Sequence, residues 1–567
     1  MQHSSHLAPT QRPVRPIWGL VSRWFGAIAL STATMGCASL PANAERPASK
    51  SLEAPDQTAL GRLVLERKAQ QRARADSGFN LLDSVGAAFG SRLAMIDGAQ
   101  RTLDLQYYAI HADSSTEILL QRLRDAARRG VRVRILLDDF NTVGEDAQVL
   151  RLAFEPNVEI RLFNPLPGSR SSLLGRVVTS LKDLPRMQKR MHNKLFIADN
   201  AIGITGGRNL GDAYFGGDEK SNFIDLEVLA MGRVVRDMSA SFDRFWNDEL
   251  AYPVQTLVSK QELEELRKPP TERAADPSKA TPGPTPAASM PAPTLTSAIL
   301  PAESTPPPTG AAQAPMDLRS VPLAWAPSLV MVDEPGKIGP GDDEADAGET
   351  VVDGLLNLML QARQDVLIVS PYFVPGQATM EQFRQLRVKG VRVRVLTNSL
   401  ASNDAPAAHA GYARYREDLL ALGVEVYEMR AAQEGTAGGM GSTRGFGSGA
   451  GGGSKSGSSR ASLHSKAVVI DNRLLVVGSM NLDLRSQRKN SEVALVIRSA
   501  ALSQLAARQV EATFAQGAYR LDVDKGALVW RAPPGAAFKD AHSEPDASTK
   551  LRLLVRLIGP FAPDEML

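Results

Sequence analysis

From Gly78 onward, apolar and polar positions fall into two rhythms that take turns along the chain. Ser91 to Ala99 has helical spacing, and Thr102-Leu103-Asp104-Leu105-Gln106-Tyr107-Tyr108 then alternates as a half-buried strand does. Ser114-Ser115-Thr116-Glu117 has the form of a capping box, a hydroxyl three residues ahead of a carboxylate. It opens a run in which Ile118, Leu119, Leu123, Ala126 and Ala127 recur on one helical face, and Gly130 closes that run. A second strand is predicted at Val131 to Leu137. Strand, helix and strand in this order form a βαβ unit, which implies a parallel or mixed sheet.

The same order returns in the second half. Val366 to Ser370 predicts a strand, Thr379 to Lys389 a helix closed by Gly390, and Val391 to Leu396 the next strand. Gly130-Val131-Arg132-Val133-Arg134 recurs unchanged at Gly390-Val391-Arg392-Val393-Arg394. The alternation puts Arg132, Arg134, Arg392 and Arg394 on one strand face, expected to be solvated or ion-paired. Tyr107-Tyr108 and Tyr372-Phe373 follow the first strand of each half and either line a channel at the strand ends or pack in the core.

Three stretches break the rhythm. Residues from Ala38 to Ala75 are polar, with one helix expected from Ala59 to Arg74; Lys268 to Pro327 is crowded with proline; and Gly435 to Arg460 is nearly all Gly, Ser and Ala. The last two cannot form core elements and read as a linker and a surface loop. With 567 residues there is room for several cores. The formal charge of +3 calls for no polyanion, so nucleic acid is not expected as a partner. The single cysteine, Cys37, excludes a disulfide framework and a thiolate cluster. It follows Arg12, Arg15, Arg23 and a short apolar run from Trp24 to Met35, too short for the ~20 residues a spanning helix needs. That pattern is similar to a bacterial lipobox, with Cys37 as the lipidation point; an ordinary signal peptide with an incidental Cys is the alternative. In both readings the mature protein lies outside the cytoplasm, and in the first it is a membrane-anchored lipoprotein facing the periplasm.

The chemistry is concentrated in a second repeat. His192-Asn193-Lys194 and His464-Ser465-Lys466 each lead, at matched spacing, to Asp199 or Asp471 and then to a glycine turn ending in Asn209 or Asn481. Both copies read H-x-K-x4-D-x6-G-[GS]-x-N. On a strand, alternate residues share a face, so each His is expected to project beside its Lys. Imidazoles next to ammonium groups suit an anionic ligand and repel a metal ion, which points to phosphate. If the copies meet, a phosphodiester would have a histidine on either side, one to attack phosphorus and one to protonate the leaving alcohol. The remaining histidines lie outside the repeat and read as bystanders.

The duplicated motif resembles the HKD signature of the phospholipase D superfamily. Arg190 to Lys194, Gly207 to Phe215 and Ser370 to Gly376 are similar, more narrowly, to the C-type bacterial cardiolipin synthases. The resemblance implies two pseudo-symmetric phospholipase D-like α/β/α lobes with mixed sheets, sharing one active site at their interface. The corresponding divisions are a signal at 1–37, a tether and helix at 38–75, a first lobe at 76–255, a linker at 256–320, a second lobe at 321–519 containing the loop 434–460, and an extension at 520–567. It implies a phosphatidyl group passed, without metal or cofactor, through a phosphohistidine to phosphatidylglycerol, with phosphatidylglycerol or phosphatidylethanolamine as donor. In that scheme the catalytic set is His192, Lys194, Asp199, His464, Lys466 and Asp471, with His192 as nucleophile, His464 as acid/base and the two aspartates mainly structural. Asn209 and Asn481 would hold phosphate oxygens. A later carboxylate would orient the histidine: Glu492 for the second copy and Asp225 for the first. Hydrolysis to phosphatidic acid is the nearest alternative; a nuclease and an inactive scaffold are further off.

Overall fold

The computed structural model describes residues 40–43, 46–143, 146–167, 184–217, 221–258, 314–338, 350–431 and 460–559. From Ala42 onward the described chain is a single unit built on two nine-stranded mixed sheets. In the first, Thr102–Tyr107, Arg132–Asp138 and Val158–Phe163 run parallel. Leu195–Ala198, Ile202–Gly206, Glu227–Gly232 and Ser77–Leu82 extend it antiparallel. The second repeats the plan, with Asp365–Val369, Arg392–Asn398 and Glu425–Met429 parallel. Ala467–Ile470, Leu474–Gly478 and Val493–Arg498 continue it antiparallel.

Each sheet is covered on its outer face by helices, Val85–Gly98 and Ser114–Arg128 in the first half, Val351–Met359 and Gly376–Val388 in the second. The inner faces share one core. It takes Phe242, Phe245 and Trp246 from the helix Arg233–Trp246 and Leu502, Ala506 and Val510 from the helix Ala500–Gln516, packed with residues of both sheets. Each inner helix follows directly on an antiparallel strand, Glu227–Gly232 or Val493–Arg498, entering in the first half through Gly232 at φ 92°, where a Cβ would lie 2.4 Å from the Asp76 carbonyl. Because both sheets bury apolar side chains in this core, the halves are fused rather than tethered.

Three of the four repeated arginines are ion-paired, while Arg132 donates to the Lys50 carbonyl (2.7 Å). Arg134 bridges Asp104 (2.7 Å) on the neighbouring strand and Asp243 (2.8 Å) on the inner helix. Arg394 likewise bridges Asp365 (2.7 Å) and Glu511 (2.9 Å), while Arg392 pairs with Glu425. Past the linker, the chain stays with the first half through 314–325. Met316 binds Gly90, Arg67 donates to the Leu318 and Val321 carbonyls, and Ala324–Trp325 adds an edge strand to the first sheet. Only with Ser328–Val332 does it join the second. At the other end, Ala518–Asp524 and Ala527–Arg531 continue the second sheet as a hairpin across residue 520.

Candidate active site

Two short parallel ladders cross between the halves. Arg190–Met191 pairs with Asn490–Ser491, and Arg460–Leu463 with Ser221–Ile224. In each ladder one strand leads into a motif histidine and the other into a buried carboxylate. The backbone N–H of His192 donates to the Ser491 carbonyl (2.9 Å), and that of His464 to the Ile224 carbonyl (2.8 Å). Parallel register therefore sets the next side chains abreast: His192 Nδ1 lies 3.0 Å from Glu492 Oε2, and His464 Nδ1 lies 2.9 Å from Asp225 Oδ2. Assigning each carboxylate to the histidine of its own copy is thus corrected. The partners are exchanged, because the ladders form between the halves and not within them.

His192 to Lys194 and His464 to Lys466 are also not strand residues with a common face. They are irregular bends, since the chain must leave a cross-half ladder and enter the main sheet within three residues. Each lysine curls back instead: Lys194 Nζ donates to the His192 carbonyl (2.7 Å) and Lys466 Nζ to the His464 carbonyl (2.6 Å). Aromatic rings fence the imidazoles, Tyr108 edge-on to His192 (5.2 Å), Tyr214 and Phe223 against His464 (5.3 and 4.9 Å). Of the bystander histidines, His111 pairs with Asp146 and His409 with Glu544.

Burial sets the charges of this cluster. It drives His192 down to about 4, outweighing the opposing pull of Glu492, and drives His464 well below its usual range, with Lys466 adding to the effect. Lys194 and Lys466 fall, by the same desolvation, to about 7 and about 8. The carboxylates diverge. Burial would raise Glu492, yet His192 and Lys194 hold it at about 2, whereas burial prevails at Asp225 and lifts it to about 6. At neutral pH the cluster holds two neutral imidazoles and two lysines that give up their protons easily, and an anionic phosphate placed among them favours the charged form of each.

Asp199 and Asp471 stand apart from this cluster in role. Both occupy the hairpin turn after the motif strand, where Asp199-Asn200 and Asp471-Asn472 all take φ between 50° and 52°, as a type I′ turn requires. The Asp199 carboxylate accepts the N–H groups of Gln100, Arg101 and Thr102; that of Asp471 accepts those of Arg363, Gln364 and Asp365. Grouping them with the catalytic side chains is corrected to that extent: they clamp the start of each sheet's first strand. Asn209 accepts from Ala109 N (3.2 Å) and donates to the Tyr214 hydroxyl (2.9 Å), while the buried Asn481 Oδ1 has no hydrogen-bond partner among the described residues. Cys37, residues 259–313 of the linker and 434–459 of the Gly/Ser stretch lie outside the described residues.

A family model described as cardiolipin synthase, PLD-like domain, matches residues 93–246 and 355–516, once in each half. The chain belongs to the cardiolipin synthase family of phospholipase D-like proteins. Within it, the chain is 36% identical over 471 residues to cardiolipin synthase C of Escherichia coli (strain K12), spanning 83% of this chain and 92% of that protein. It is 24% identical over 401 residues to cardiolipin synthase 2 of Staphylococcus epidermidis, spanning 70% and 59%. Among solved structures, phosphatidylserine synthase of Haemophilus influenzae Rd KW20 shares the fold, with a TM-score of 0.52 at 14% identity over 88% of this chain and 99% of that one.

The two halves of this phospholipase D-like site differ at one motif position, the [GS] of the glycine turn. Ser479 donates its hydroxyl to Glu492 Oε2, and Ser486 donates to Oε1 (2.8 Å), so that carboxylate is held on every side. Its counterpart Gly207 packs directly on the other carboxylate: a Cβ there would lie 2.5 Å from Asp225 Oδ2 and 2.7 Å from the His464 carbonyl. The Gly/Ser alternation was visible in the sequence. What it accompanies, a long anchored Glu in one dyad and a short, tightly packed Asp in the other, requires knowing that the dyads cross.

Proposed function

We propose that the protein is a cardiolipin synthase-type phosphatidyltransferase, exchanging phosphodiesters of membrane lipids through a phosphohistidine. The observation that carries the reading is the pair of crossed histidine–carboxylate dyads beside two buried lysines. Binding of the phosphate anion restores a proton to His464, neutral in the free site. His192 Nε2, still neutral, attacks phosphorus as the P–O bond to the leaving alcohol breaks, and the His464 imidazolium gives that oxygen its Nε2 proton. His464 then takes the proton of a phosphatidylglycerol hydroxyl, whose oxygen attacks phosphorus and displaces His192. Glu492 and Asp225 orient their histidines and stabilise the imidazolium that each step creates. Lys194, Lys466, Asn209 and Asn481 receive the phosphoryl oxygens, and binding the anion returns full charge to both lysines. Phosphatidylglycerol or phosphatidylethanolamine serves as donor. A lipid on Cys37 holds the enzyme at the periplasmic face of a membrane, which suits a substrate that stays in the bilayer; among the described residues no helix is long and apolar enough to cross one.

Purified protein in vesicles of phosphatidylglycerol and phosphatidylethanolamine, with chelator present, tests this. Cardiolipin should form with wild type and be lost in both His192→Ala and His464→Ala. Phosphatidic acid as sole product would replace the transferase with a hydrolase, and inhibition by the chelator would overturn the mechanism.

A further inference from the structure

The helix Thr549–Ile558 has two apolar faces and uses only one of them. Leu551 and Val555, one turn apart, pack on Leu400, Ala401 and Ala547. On the opposite side Leu553, Leu554 and Leu557 are 58%, 43% and 62% exposed, the only three large exposed hydrophobics that share an element among the described residues. Single exposed leucines need no explanation, but three on one helical face do. Lys550 lies within this face, and Arg552 and Arg556 flank it, while the helix itself holds no acidic residue. Leucines rimmed by long cationic side chains match a lipid interface, where apolar groups enter the acyl boundary and amines remain among anionic headgroups.

The position of the helix fits that occupant. It packs on the helix Pro406–Ala413, with Arg414 donating to the Gly559 carbonyl (3.1 Å). Two residues before that second helix, Asp404 accepts the Tyr372 hydroxyl (2.8 Å) and lies close enough to His464 and Lys466 to influence both. Tyr412, on the same helix, touches Phe373, whose strand pairs with Leu482, the residue after Asn481. The exposed leucines are therefore carried by the segment that leads out of the reacting site.

We infer that the exposed face of Thr549–Ile558 is a docking surface for an anionic phospholipid membrane, seating the mouth of the site at the lipid. Binding by this face requires no turnover, so it stands apart from the proposed chemistry. The test is flotation of full-length protein, in a Cys37→Ser background that removes any anchor, with vesicles of phosphatidylglycerol and phosphatidylcholine. The triple variant Leu553→Ser/Leu554→Ser/Leu557→Ser should bind at least ~10-fold more weakly. Lys550→Glu/Arg556→Glu should lose the preference for phosphatidylglycerol over pure phosphatidylcholine. Both variants should turn over a dispersed short-chain phosphatidylglycerol as the parent does, which separates docking from folding and from catalysis. Unchanged flotation of the triple variant overturns the inference. So does a parent protein that dimerises through this face and a variant that is monomeric with equal flotation, since the occupant would then be a second copy.

Discussion

Exchange of the carboxylates between halves predicts which lesions resemble one another. Replacing Glu492 with Gln keeps its shape and a hydrogen bond to His192 but removes the charge 3.0 Å from Nδ1. At an effective dielectric of about 20, that charge stabilises an imidazolium by roughly 5 kcal/mol. Part of this survives in the neutral hydrogen bond, so the step in which His192 becomes cationic should slow by about 10²–10⁴-fold. Asp225→Asn does the same to His464. A phosphatidyl ester of p-nitrophenol separates the two, because its leaving group needs no proton. With rapid quenching and detection of phosphatidyl bound to protein, Glu492→Gln should fail to form the adduct, as His192→Ala does. Asp225→Asn should form it and then stall before transfer, as His464→Ala does. If Glu492→Gln instead behaves like His464→Ala, and Asp225→Asn like His192→Ala, the exchange is refuted, whichever histidine is the nucleophile.

Other consequences can be checked more simply. Asp199→Ala removes three amide contacts to a buried carboxylate and should cost about 2–3 kcal/mol in urea unfolding, with kcat of the folded fraction changed only a few-fold; a dead but fully stable variant would contradict the clamp role. Gly207→Ala forces a methyl onto Asp225 and should lower kcat by about 10²-fold with a modest loss of stability, and normal activity would show that the Asp225–His464 geometry is not critical. With His192 at about 4 the nucleophile should stay free of its proton down to about pH 5, and with the lysines at about 7 and about 8 KM should climb from about pH 7 upward as Lys194 and then Lys466 discharge. An acid limb near 6.5 in a pH–rate profile would refute the low value for His192. The sign for stability follows from the same shift. Between 6.5 and about 4 the unfolded chain takes up a proton that folded His192 refuses, so stability falls as pH drops through that window.

The repeat, the βαβ order of each half and the histidines, lysines and asparagines were legible because each rests on periodicity or on spacing within one stretch. Three of the four outer helices were legible for the same reason, although Val85–Gly98 starts well before the apolar run that announced it, and Val351–Met359 was not read from the sequence. What could not be read depends on pairing across distance. Arg190–Met191 and Asn490–Ser491 are two-residue strands, too short for any alternation to register, and the identity of the dyads follows entirely from their register. The same shortness misled the placement of His192 beside Lys194: H-x-K looks like alternate strand positions until the chain has to turn between two sheets. Ala324–Trp325 was hidden by its proline-rich surroundings, and its return to the first sheet is fixed by contacts with residues some 250 positions earlier.

The crossed ladders also bear on how the enzyme can move. Each histidine is aligned by the half it does not belong to, and the two inner faces are sealed by a common core. Opening the halves like a jaw would separate both dyads at once and expose that core, so admission of lipid and release of product must proceed with the halves closed. Chemical competence in this chain is therefore a direct reporter of interdomain assembly. A lesion that loosens the docking of the halves, however far from phosphorus, should register first as misaligned histidines and only afterwards as unfolding.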